Sequence, residues 1–179
     1  MDIVKITVGA LASNCYLVRS AHTGVIIDPG AEADKILAVV RDTRIEMILA
    51  THGHFDHVTA LQGLKGATGA SAAIHAEDWM AGFDLELVDG QIIRFGEETM
   101  KVLHTPGHTP GGCCFLVKDR LFSGDTLFPN GPGNTAFPGG DHEVILRGIR
   151  EKLMVLPDET VVYPGHGPET TIGRERALY

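Results

Sequence analysis

Short apolar runs separated by Gly, Pro and Asp turns organise this chain from end to end. Ile3 to Val8, Asn14 to Val18 and Gly24 to Ile27 read as an opening series of strands. Pro29-Gly30 turns the chain into Ala31 to Arg41, where Ala33, Ile36, Leu37 and Val40 recur at helical spacing and predict an amphipathic helix. Ile45 to Ala50 is a continuous apolar run of strand length, the pattern of a strand buried on both faces. A polar cluster then begins abruptly at Thr51, and a helix is expected to follow it through Leu64. Ser71 to His75, Gln91 to Phe95, Thr99 to His104, Cys113 to Val117, Arg120 to Phe122 and Thr160 to Tyr163 predict further strands. In the last helix Ile145, Ile149, Leu153 and Leu156 fall on one stripe, with Asp141 as N-cap and Glu143 favourable in the first turn.

No linker, repeat or low-complexity stretch interrupts this pattern, so the 179 residues are expected to form one domain, 1–179. A hydrophobic fraction of 44% and a charged fraction of 21% are ordinary globular values. The formal net charge of −8, with no basic run, argues against a nucleic-acid partner. The N-terminus lacks the basic start and apolar stretch of a signal peptide, and no window approaches a membrane span, so no membrane partner and a cytoplasmic location are expected. Cys15, Cys113 and Cys114 match neither a disulfide framework nor a thiolate zinc site, and they read as small core hydrophobes. Adjacent in a strand, Cys113 and Cys114 should point to opposite faces.

The residues able to do chemistry lie just past the ends of the apolar strands. His52, His54, Asp56 and His57 follow Ile45 to Ala50, His108 follows Thr99 to His104, Asp125 follows Arg120 to Phe122, and His166 follows Thr160 to Tyr163. Four such loops can converge on one sheet edge. Imidazole with carboxylate suits zinc, iron or manganese rather than magnesium or calcium. His52 and His54, two apart, can face one side of an extended segment and hold one ion with His108. Asp56 and His57, beyond a change of direction, can serve a second with His166, while Asp125 bridges both. Each ion would keep an open position for a shared water, the mark of a catalytic site. Two such ions would lower the pKa of that water towards about 7 and polarise a carbonyl.

Thr51-His52-Gly53-His54-Phe55-Asp56-His57 resembles the HxHxDH signature of the metallo-β-lactamase fold superfamily. Thr105 to Gly111, Ser123-Gly124-Asp125-Thr126 and Tyr163 to Gly167 are similar to its later metal motifs, in order along nearly the whole chain. The resemblance implies an α/β protein of four layers, an αββα sandwich with the metals at one edge. Pro138 to Asp141 and Pro164 to Thr170 look most like the short glyoxalase II-like proteins, hydrolases of S-acyl glutathione thioesters, without their C-terminal helical domain. That implies a small-molecule thioester or ester substrate and two divalent ions, zinc first and iron or manganese as alternatives. Asp56 and Asp125 would orient the attacking hydroxide. Phe128 to Ala136 contains no basic residue of the kind that would greet glutathione carboxylates, and the short stretch Trp79 to Asp89 suggests an open pocket.

Related proteins of the fold supply the other readings. These are a mononuclear-iron persulfide dioxygenase, a lactonase or other ester hydrolase, and a non-catalytic metal-binding module. Outside the seven ligands, His22 and His142 are expected on the surface, and His75 and His104 as hydrogen-bonded partners rather than ligands. Trp79 and Phe83 could form pocket wall or core.

Overall fold

The computed structural model describes residues 1–179. The first sheet contains β1 (Asp2–Val8), β2 (Ser13–Ser20), β3 (Thr23–Ile27), β4 (Arg44–Leu49), β5 (Ser71–His75) and β6 (Leu85–Leu87), in that spatial order. Its first three strands run antiparallel, and β3 to β6 run parallel. Parallel neighbours need crossovers: α1 (Ala33–Val40) joins β3 to β4, α2 (Phe55–Val58) and α3 (Leu61–Thr68) join β4 to β5, and a 3₁₀ turn at Ala76–Asp78 lies between β5 and β6. The second sheet holds β7 (Ile92–Phe95), β8 (Glu98–His104), β9 (Cys113–Val117) and β10 (Arg120–Gly124). A short ribbon, β11 (Leu127–Phe128) with β12 (Gly131–Pro132), leaves β10, and α4 (His142–Gly148) follows, continued by a π-helical turn over Ile149–Leu153. β13 (Val161–Pro164) and β14 (Thr170–Thr171) complete the sheet in the order β14-β13-β10-β9-β8-β7, and α5 (Ile172–Glu175) ends the chain's regular elements before a 3₁₀ turn.

Period-two alternation assigns side chains to layers. On β2, Tyr16 and Val18 join Ile27, Phe115 and Phe122 between the two sheets, whereas Cys15 and Leu17 pack with Ile36, Val40 and Leu64 under α1 and α3. On β9, Cys113 faces the inter-sheet core and Cys114 faces Ile145, Ile149 and Leu153 under α4. Helices thus cover the outer faces of two apposed sheets, which is the four-layer αββα arrangement. No helix is long and apolar enough to cross a membrane.

Several local expectations change. The helix expected through Leu64 is two pieces, because the Ala60 amide turns aside to donate to the Pro29 carbonyl. The first amphipathic helix is shorter than Ala31 to Arg41, spanning Ala33–Val40. β6 and the β11–β12 ribbon have too few residues to show a period. Asp141 does cap α4, its Oδ1 accepting from the Glu143 and Val144 amides at 3.0 Å each.

Candidate metal centre

β4, β8, β10 and β13 deliver their following loops to one edge of the sandwich. After β4 the chain stays extended through His52 and His54, then turns into the single turn of α2, which carries Asp56 and His57. The Pro29-Gly30 turn lies directly against that helix: a Cβ on Gly30 would stand 1.8 Å from the Asp56 carbonyl oxygen. Only glycine permits this approach. His108 follows β8 in a tight loop, Asp125 follows β10, and His166 follows β13, where Ser13 pairs with it across the edge.

All seven predicted ligands come together, in two sets. In the first, His54 Nδ1 lies 3.1 Å from His52 Nε2 and 2.9 Å from His108 Nε2. The outer nitrogens of the latter two rings are already committed. His108 Nδ1 donates to the Asn134 carbonyl at 2.6 Å. The Thr51 hydroxyl donates to Asp28 Oδ2 at 2.7 Å, so its oxygen accepts His52 Nδ1–H at 3.0 Å. Both Nε2 atoms therefore carry bare lone pairs aimed at one point, and the single N–H of a neutral His54 cannot satisfy both. A shared cation can.

In the second set too, the outer ring nitrogens are already committed. His57 Nδ1 faces Asp28 Oδ2 at 3.0 Å and His166 Nδ1 donates to the Leu11 carbonyl at 3.1 Å. Their Nε2 atoms, 3.3 Å apart, meet Asp56 Oδ2 at 3.6 and 3.2 Å. Asp125 spans the two sets, with Oδ1 3.5 Å from His57 Nε2 and Oδ2 3.5 Å from His108 Nε2 and 3.7 Å from His166 Nε2. Its Oδ1 is buried without a hydrogen-bond partner, a costly state unless a cation completes it. Gly165 keeps this cradle open: a Cβ there would stand 2.1 Å from Asp125 Oδ1. The donor set fits one ion on His52, His54 and His108, and a second on Asp56, His57 and His166, with Asp125 reaching both.

Electrostatics distinguish the two halves. Burial, reinforced by neighbouring imidazoles, pushes His52 and His54 below the ordinary histidine range and keeps them neutral, as ligation requires. At His57 burial opposes protonation, but the Asp28 charge and hydrogen bond, with Asp125 and Asp56, outweigh it and raise the ring to about 9. Asp56 is buried against its charge, yet His57 and the Ser13 hydroxyl, 2.9 Å away, hold it below the usual carboxylate range.

Two functional positions escaped sequence reasoning. Asp28 is buried and adopts φ 53°, a strained value for a side-chain-bearing residue. The available signal was an acidic residue ending an apolar strand at the same edge as the ligands. Asp78 clamps two ligand loops, its Oδ2 accepting from the Gly53 amide at 2.9 Å and the Thr109 hydroxyl at 2.6 Å, and its Oδ1 from the Gly111 amide at 2.7 Å. His75 and His104 stand apart from the centre, stacked at 3.9 Å, with His104 Nε2 donating to the Pro110 carbonyl. His22 and His142 are exposed, Phe83 belongs to the core, and Trp79 is exposed outside the central cavity.

The centre floors an open cavity of about 610 Å³ walled by Leu11, Phe55, Phe137 and Pro138. Residues 8–166 match the family described as the metallo-beta-lactamase superfamily. This chain belongs to that superfamily. It is 35% identical to the hydroxyacylglutathione hydrolase GloC of Haemophilus influenzae, over 98% of this chain and 95% of that protein. ETHE1 from Myxococcus xanthus superposes with a TM-score of 0.91 at 31% identity, covering 98% of this chain and 82% of the other. TTHA1623, solved in a di-iron-bound form, gives 0.85 at 35% identity, with 96% of each chain covered. The superfamily is one of metal-dependent hydrolases, and the His and Asp clusters here are those able to hold divalent ions.

Proposed function

We propose that the protein is a glyoxalase II-like thioester hydrolase that cleaves S-acyl glutathione or a similar small-molecule thioester. The observation that carries this reading is the pair of converging acceptor sets joined by Asp125 at the floor of an open cavity. The likeness to GloC supports the thioester over other acyl substrates. Two divalent ions, zinc first and iron or manganese as alternatives, would supply a water of lowered pKa and a Lewis acid for the carbonyl when bound to the seven ligands.

The chain's own residues place the reactants. Asp56, fixed by Ser13, and Asp125 orient the attacking water. Its oxygen bonds to the acyl carbon, the C–S bond breaks, and the products are a carboxylic acid and a thiol. No cysteine serves as nucleophile, since burial pushes the Cys15, Cys113 and Cys114 thiols up and keeps them protonated.

The likeness to ETHE1 favours a second reading, persulfide dioxygenase chemistry at a single iron. Metal-defined protein assayed with thioesters, lactones and glutathione persulfide separates the two. Two ions per chain with thioester cleavage is the expected result. One iron per chain, oxygen uptake with persulfide and no thioester cleavage would reject hydrolysis.

A further inference from the structure

The apolar cavity continues past Phe137 into a second hollow of about 410 Å³, lined by His108, Asp125 and the segment Phe128 to Asn134. The two lobes share His108, Asp125 and Phe137, so a substrate centred on the ligands reaches into both. They differ in chemistry. The first is walled by Leu11, Phe55 and Phe137, which are 55%, 70% and 47% exposed although large and apolar. Exposed apolar groups gathered around a polar floor mark a binding surface.

These walls are held in place. The Leu11 carbonyl accepts from His166. The Phe137 ring stands edge-on to His54 and His108, at 5.2 and 6.0 Å between centroids. Its loop is closed by the Gly140 amide donating to the Phe137 carbonyl. The second lobe presents Asn130, Asn134 and peptide groups among prolines and glycines, which can hydrogen-bond but carry no charge.

No Lys or Arg is among the residues that line either lobe. None of the 15 Lys and Arg residues falls in the ligand-bearing segments 50–60, 105–112, 125–141 or 165–169. Lysines on neighbouring elements are engaged elsewhere: Lys35 by the Thr7 carbonyl, Lys65 by Asp84 and Lys152 by Asp89. A thiol bearing carboxylates near its sulfur would find no cationic side chain lining either lobe, on a chain of net charge −8.

We propose that the site selects S-acyl thiols that are apolar on the acyl side and uncharged but amide-bearing on the thiol side. The acyl group lies against Leu11, Phe55 and Phe137, and the thiol arm runs along Phe128 to Asn134. This rests on the hydrolase reading for its chemistry and, among the thioesters that reading allows, favours neutral carriers over glutathione; the preference itself belongs to the pocket.

The test measures binding and turnover separately on the zinc-loaded chain. Calorimetry compares the non-hydrolysable thioethers S-hexyl-N-acetylcysteamine and S-hexylglutathione, and kinetics compares the matching hexanoyl and acetyl thioesters. The neutral thioether is expected to bind about tenfold or more tightly. Added salt should narrow that gap by screening the chain's net negative charge. Phe137→Ala should lower the hexanoyl-to-acetyl ratio of kcat/KM by about tenfold. Equal or tighter binding of S-hexylglutathione, or no binding of either thioether, would overturn the inference. Should neither thioester turn over while the neutral thioether keeps its advantage, the hydrolase reading falls and the pocket preference stands.

Discussion

Asp28 Oδ2 lies 3.0 Å from the buried Nδ1 of His57. The same oxygen receives the Thr51 hydroxyl that in turn accepts from His52, so one carboxylate fixes the tautomer of a ligand in each half of the centre. Asp28→Asn isolates that role, because asparagine tolerates the left-handed backbone found here and only the charge and one acceptor are lost. The expected outcome is metal binding weakened by about 10- to 100-fold with the fold retained. Competition with a chelator of known affinity, alongside thermal melting, measures both.

The opposed shifts of His57 and His52 predict how metal-free protein responds to pH. His57 is raised to about 9, so its contribution is complete below its unfolded value of about 6.5 and is lost as pH rises through 9, roughly 3 kcal/mol. His52 is lowered by burial and by its neighbouring imidazoles, so the folded state loses stability as pH falls below about 6.5. Melting temperatures in chelator should peak near pH 6 to 7. Asp28→Asn should flatten the alkaline limb. An unchanged alkaline limb in that variant would show that the Asp28 charge does not govern His57.

Short apolar runs bounded by turn residues were enough to place most strands, because one face of each sheet meets the other sheet and the opposite face meets helices. They also placed the ligands at strand ends, which is why His52 to His57, His108, Asp125 and His166 were legible as one centre. Asp28 and Asp78 were not, since their roles depend on loops 23 to 33 residues away making hydrogen bonds that no local period records. Phe55 and Phe137 were equally hidden. Each is a lone aromatic in a loop or short helix, and exposure beside the ligands is a property of the assembled edge.

Gly165 gives a steric test of the centre. An added Cβ would stand 2.1 Å from Asp125 Oδ1 and 2.7 Å from His57 Cε1, in a region that cannot yield without moving a ligand. Gly165→Ala should cost about 1 to 3 kcal/mol and remove at least one ion per chain, read by denaturant unfolding and elemental analysis. Gly66→Ala is the control: nothing lies within 4 Å of its Cβ position inside α3, so it should stabilise by about 0.5 to 1 kcal/mol with metal content unchanged.

Asp78 offers the sharpest separation of support from chemistry, because it touches no ligand side chain yet ties the Gly53 and Gly111 amides and the Thr109 hydroxyl together. Those backbones carry His52, His54 and His108, three of the seven ligands, and none from the Asp56, His57 and His166 set. Asp78→Ala leaves three donors without their acceptor, and hydrogen bonds to a charged group contribute about 1.5 to 3 kcal/mol each before water replaces them. Partial exposure of Asp78 lets water take over in part, so a loss of about 2 to 4 kcal/mol is expected. The loosening should fall on one ion only. Titration of metal-free Asp78→Ala with zinc should therefore show one affinity close to wild type and one weakened tenfold or more, whereas Asp28→Asn, which reaches both sets, should weaken both. Equal weakening of the two ions in Asp78→Ala would mean that the loops respond as a single unit and that the two ligand sets are not separately supported.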